Sequence, residues 1–125
     1  MTNNTLTGVL SGEAVTLAIK NGHLDCVKYL HEEEKMVKLN SGTMEIALDV
    51  EVIKYLRSVG VPWSLISCNK AAKAGRLDSL KYAHENGAPW TPDVIKVAAE
   101  NGQYECMKYV IESGTILLEL LRETD

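Results

Sequence analysis

The sequence predicts an all-α fold in which short helix-turn-helix units stack in line, an α-solenoid of about four units with a terminal capping helix. Three observations predict it. A lysine–tyrosine pair recurs at Lys28-Tyr29, Lys54-Tyr55, Lys81-Tyr82 and Lys108-Tyr109, in steps of 26, 27 and 27 residues. Apolar residues around these pairs fall at helical spacing, and most runs are stopped by a glycine suited to a helix C-cap. Each unit is too short to bury its own apolar side, so it must lean on the next. The units fall at about 10–34, 35–60, 61–87 and 88–114, with the terminal helix at 115–123.

In the first unit Ser11 reads as the N-cap, Glu13 lies in the first turn and Ala18 lies inside. Asn21-Gly22 makes the turn and Asp25 begins the outer helix. No glycine closes this helix near Glu34, so it is expected to run on through Lys35 to Val37. In the second unit Asn40-Ser41-Gly42 reads as a loop, Thr43 as a cap and 44–49 as a stub of helix. The stretch "GTMEIALDVE" lacks the usual turn. Val52 to Leu56 form a regular outer-helix segment closed by Val59-Gly60. Geometry is expected to be least regular between 34 and 52.

The third and fourth units match step for step. Trp63 corresponds to Trp90, Ser64 to Thr91, Ala71-Ala72 to Ala98-Ala99, Gly75 to Gly102 and Gly87 to Gly114. Thr91 reads as an N-cap with Pro92 at the first helical position and Asp93 in the first turn. Val94, Ile95, Ala98 and Ala99 then recur at helical spacing, and Met107, Val110 and Ile111 mark the second helix. After Gly114, Leu117, Leu118, Leu120 and Leu121 fit an amphipathic helix. It either covers the fourth unit or is half of a further one. Asp25, Asp78 and Glu105 hold one position in the first turn of the second helices, where negative charge is favoured by about 0.3–1 kcal/mol.

Composition narrows the function. The net charge of -4 argues against a track for nucleic acid or anionic lipid. No run of 18 apolar residues occurs to span a membrane, and "MTNNTLTGVLSGEAV" does not read as a secretory signal. Cys26, Cys68 and Cys106 match no metal knuckle or redox pair and read as reduced packing residues in a cytoplasmic or nuclear setting. His23, His31 and His84 have no supporting ligand cluster, so no metal site is expected, and His31 and His84 read as surface groups. No phosphate loop, HExxH or nucleophile elbow occurs, so neither catalytic residues nor a cofactor is expected.

The lysine ladder reads as a solvated face rather than a phosphate track. The tyrosine rings are expected to pack between neighbouring outer helices with their hydroxyls at the rim, and Trp63 and Trp90 to plug the junctions after Gly60 and Gly87.

"TPDVIKVAAENGQYECMKYVIESGT" resembles an ankyrin repeat through Thr91-Pro92, Ala98-Ala99, Asn101-Gly102, and Met107 with Val110; Gly87-Ala88 closes the preceding unit in the same style. "AAKAGRLDSLKYAHENGAPW" resembles the divergent ankyrin repeats of large DNA viruses, amoebae and oomycetes. The period of 26 to 27 is shorter than the family's 33, the difference falling in the link where the family carries a β-hairpin finger. Val94 stands where the family has His. The resemblance implies a non-catalytic scaffold that binds another protein. The varied polar positions Lys20, Asn69, Lys70, Lys73, Lys96 and Glu100, on a concave side made by the first helices, are the candidate partner-binding residues. A structural spacer within a longer repeat protein is the alternative, and nucleic-acid binding a weaker one.

The paired alanines predict close helix approach. Replacing Ala72 or Ala99 by Leu is expected to overpack the junction and lower stability by about 1–3 kcal/mol, read from urea unfolding.

Overall fold

A computed structural model describes residues 4–33 and 37–113. Its described residues form eight α-helices and no strand. The chain divides into two compact units, Met1–Trp63 and Ser64–Asp125.

In the first unit, α1 (Asn4–Lys20) packs against α2 (Leu24–Glu33) and α3 (Ser41–Ile46), and α2 packs against α4 (Val50–Ser58). In the second, α5 (Ser67–Lys73) packs against α6 (Leu77–Glu85) and α7 (Asp93–Glu100). There α8 (Tyr104–Ser113) packs against both α7 and α6. Both units thus set first helix beside first helix and second beside second.

The reversals have one chemistry. At the end of α5, the Gly75 amide donates to the Ala72 carbonyl at 3.1 Å and the Arg76 amide to the Ala71 carbonyl at 2.9 Å. This pair of bonds satisfies the last carbonyls of the helix and needs a left-handed residue between them; Gly75 has φ 73°. The same two bonds recur around Gly22 and Gly102, and after the second helices around Gly60 and Gly87. At Gly75 space is also short, because an added Cβ would run into the Gln103 carboxamide. That carboxamide is held in place by its own bond, Gln103 Nε2 donating to the Lys73 carbonyl at 3.1 Å.

Adjacent residues on one helix point about 100° apart, so they can serve two different neighbours. Ala72 and Leu80 are the side chains of α5 and α6 on the side where α7 and α8 pack, and both are fully buried. Ala98, Cys106 and Val110 are the facing side chains of α7 and α8 and are buried as well. In the first unit Ile19 and Val27 take the places of Ala72 and Leu80, and they are buried to the same degree. We call these the trailing and leading faces of a helix pair.

Several sequence expectations need correcting. Ala99, which occupies the trailing position of Ala72, is exposed, so only Ala98 of that pair is a packing residue. Ser11 does not cap α1 but lies inside it, since the helix begins at Asn4 and no proline upstream halts it. The loop expected at 40–42 is largely helix. Asn40 is the true cap, its side chain accepting from the Thr43 amide at 3.2 Å while Thr43 Oγ1 accepts from the Asn40 amide at 3.1 Å. Thr43 is therefore the third residue of a capping box rather than the cap. Asp49 caps α4 by accepting from the amides of Glu51 and Val52. This replaces the glycine turn absent there. Val37 is non-helical and buried, so α2 does not reach it. Residues 34–36 and the helix expected at 115–123 lie outside the described residues.

Ser64 does not cap α5 as expected, because the helix starts only at Ser67 behind Ile66 and has no side-chain cap. Ser64 instead closes the turn before it, its Oγ accepting from the Ile66 amide and its own amide donating to Ser67 Oγ. Thr91 contributes its carbonyl, which accepts from Val94, while α7 has no side-chain cap.

These contacts sharpen the overpacking prediction. Ala72→Leu is expected to cost about 1–3 kcal/mol, whereas Ala99→Leu stays within about 0.5 kcal/mol. Gly75→Ala is expected to cost about 1–2 kcal/mol for the left-handed backbone alone. Gly12→Ala, inside α1 with nothing within 4 Å of the new methyl, is expected to gain about 0.5–1 kcal/mol. Urea unfolding of the four variants separates these outcomes, and equal effects at Ala72 and Ala99 would refute the two-faced packing.

Candidate functional site

The candidate binding residues sit on the first helices. On α5, Asn69 and Lys73 lie four residues apart and share one side, Lys73 exposed and Asn69 half-buried at the edge of the core formed by Cys68, Ala71 and Ala72. On α7, Lys96 and Glu100 hold the same two positions one repeat later, away from Val94 and Ala98. Because α5 and α7 pack together, these four residues form one stripe. Lys70 is exposed further round α5, beside the stripe rather than on it. Lys20 is exposed at the end of α1 in the first unit and holds the repeat position of Lys73 and Glu100.

Not all six residues need a partner to explain them. Lys20 and Lys73 are the last residues of their helices, and Lys70 lies in the last turn of α5; cations are favourable there. Glu100 ends α7 with an acid where the helix dipole disfavours one, and no basic residue lies in that last turn. Asn69 is more telling. Its Oδ1 is buried and accepts no hydrogen bond, a condition that costs a folded protein about 1–3 kcal/mol.

The lysine and tyrosine ladders form contacts that the sequence reading did not foresee. On α4 the Tyr55 hydroxyl donates to Glu32 Oε2 at 2.9 Å and lies 2.8 Å from His31 Nδ1, both residues of α2. Its one proton being given to Glu32, the hydroxyl accepts from His31 Nδ1–H. The Lys28 ammonium stands 5.8 Å from the Tyr55 ring centre. In the second unit His84 Nδ1 and the Tyr109 hydroxyl are 3.0 Å apart, with Lys81 5.5 Å from the Tyr109 ring. Trp90 stacks on His84 at 3.8 Å and meets Tyr109 edge to face. Each clasp ties a second helix to the next, α2 to α4 and α6 to α8.

His31 and His84 are therefore half-buried bonded groups rather than surface ones. Trp90 does fill the junction expected of it. At the corresponding place in the first unit Arg57 replaces the histidine, its guanidinium 4.9 Å from the Trp63 ring. The signal that could have revealed the clasp was in the spacing, since Lys and His recur three residues apart one period before a Tyr.

Burial, then the bond to Glu32 and its charge, push the Tyr55 hydroxyl from an ordinary 10.0 up to about 12. Burial and the charge of Glu85 also raise Tyr109. Burial pushes the Cys68 thiol up to about 12 and raises Cys106, while Cys26 is exposed. Among the described residues no group of three or more His, Cys, Asp or Glu could hold a metal, and no helix is long and apolar enough to cross a membrane.

One groove of about 580 Å³ opens on the leading face of α1 and α2, lined by Ala14, Leu17, Ala18, Cys26, Tyr29 and Leu30 among others. No protein-family model and no curated protein matches the chain.

The Tyr55 clasp has a pH signature. A hydroxyl pKa raised on folding contributes stability below pH 10.0 that disappears as pH climbs toward about 12. In an alkaline titration of phenolate absorbance, the ionisation near pH 12 assigned to Tyr55 is expected to vanish in Tyr55→Phe. A titration unchanged by that substitution would show the clasp absent.

Proposed function

We propose that this chain is a non-catalytic interaction module built of divergent ankyrin-like repeats, and that it binds a protein segment along its first helices. The observation that carries this reading is the stripe of Asn69, Lys73, Lys96 and Glu100, set at matched positions on two packed helices, with Lys73, Lys96 and Glu100 exposed. Its residues are varied where the packing residues are constrained. Asn69 adds a carboxamide whose buried oxygen the fold leaves unsatisfied, and which would accept from a partner's amide once turned outward. With Lys70, the stripe carries three lysines against one glutamate on a chain of net charge -4, which suits an acidic partner segment.

The repeat spacing and the recurrence of first-on-first and second-on-second helix contacts in both units support the ankyrin-like part of the reading. A spacer within a longer repeat protein is the second reading, favoured by the uncovered leading face of α1 and α2.

Affinity capture from the source cells, with identification by mass spectrometry, tests the proposal. Lys73→Glu combined with Lys96→Glu is expected to lose the captured partner while keeping the helical circular dichroism. The same proteins captured by both forms would refute it. Asn69→Ala is expected to weaken capture yet to leave stability unchanged or raise it by up to about 1 kcal/mol, because the lost oxygen had no partner.

A further inference from the structure

The groove on α1 and α2 can be read through the repeat itself. Adding 80 to each lining residue gives its counterpart three repeats later. Ala14, Leu17 and Ala18 become Val94, Val97 and Ala98; Cys26, Tyr29 and Leu30 become Cys106, Tyr109 and Val110. Those counterparts are the leading face of α7 and α8, where Val94, Ala98, Cys106 and Val110 are fully buried. In the groove Leu17 is 59% and Tyr29 60% exposed, and Cys26 is exposed too. Among the described residues, the groove is thus a leading face without the trailing face that this fold elsewhere lays against it.

Among the described residues, a second open surface shows the complementary half. On α7 and α8 the trailing positions held by Ala72 and Leu80 in the preceding pair fall to Ala99 and Met107. Ala99 is exposed and Met107 half-buried, beside Ile111 at 44% and Tyr104 at 60% exposure. The clasp residues agree. Lys28 stands over Tyr55 and Lys81 over Tyr109, each a trailing lysine on a leading ring. Tyr29 is a leading ring and Lys108 is the trailing lysine of α8. Glu112 holds the repeat position of Glu32, which accepts the Tyr55 hydroxyl proton.

We propose that a second copy of this chain docks its α7–α8 trailing face into the α1–α2 groove, bringing Lys108 and Glu112 to Tyr29. The interface is head-to-tail, since it joins two different surfaces, and each added copy presents a fresh groove.

Sedimentation velocity over a wide concentration range is the first test. The mass is expected to climb with concentration past that of a dimer, and a mass fixed at the monomer value overturns the proposal. Cys26 is the reporter in the unsubstituted protein, because Cys68 and Cys106 are buried. Its reaction with a thiol reagent is expected to slow as protein concentration rises, and a constant rate overturns the docking. Two surface variants then test the polarity. Leu17→Asp blocks the groove and Ala99→Arg blocks the trailing face, so each alone is expected to be monomeric. Mixed, they are expected to form a one-to-one dimer that grows no further. Pairing abolished by Leu17→Asp but untouched by Ala99→Arg would mean a two-fold groove-to-groove contact and would refute the arrangement.

Discussion

At five places among the described residues the backbone reverses through a left-handed glycine, with the next amide bonded to the carbonyl five residues before it. Everything else in the fold hangs on that reversal. It satisfies the helix-terminal carbonyls without calling on side chains, and it lets the chain reverse within a few residues. After Gly22, Gly75 and Gly102 the next helix begins almost at once. The angle between the two helices of a pair is set locally, so their apolar positions always present themselves in the same relation. Where the glycine is missing, between α3 and α4, Asp49 restores a defined start to α4 by accepting two amides. The chain there needs a different device because α3 is only 6 residues long.

Given fixed pairs, packing draws on adjacent small or apolar residues of each helix. Ala71-Ala72 and Ser79-Leu80 are such doublets and are buried at both positions. The doublets were readable in the sequence, and so were the turns, since both depend on residues close in the chain. Which member of a doublet would be covered was not readable. Ala99 looks identical to Ala72 on paper, and only the neighbour decides that one is buried and the other exposed. The helix starts at Ser11 and Thr43 were misjudged for a related reason. Ser and Thr are good caps, but they act as caps only where their own backbone is extended rather than helical. Asn40 meets that condition and Ser11 does not.

The candidate binding stripe was legible as positions that packing leaves unconstrained, and its four central residues do lie together on α5 and α7. The burial of the Asn69 oxygen was not legible, because it depends on the surroundings of the carboxamide rather than on residue type. The clasps lay between these extremes. Residue type and spacing place their tyrosines between outer helices, but give the histidines no mark that separates them from solvent groups. A lone histidine has no local mark of its partner 24 or 25 residues away. The Tyr55 and Tyr109 hydroxyls lie against histidines of the second helix before them, whereas Tyr29 is exposed.

The principal helix contacts within each unit join elements that are adjacent or next but one in the chain, and even the Gln103 bond to the Lys73 carbonyl spans just 30 residues. Such short loops close at little entropic cost, and chains rich in them cross their folding barrier quickly. A growing polypeptide can therefore begin to assemble one hairpin of helices while the following one is still being synthesised, so each nascent pair offers a template on which its successor condenses.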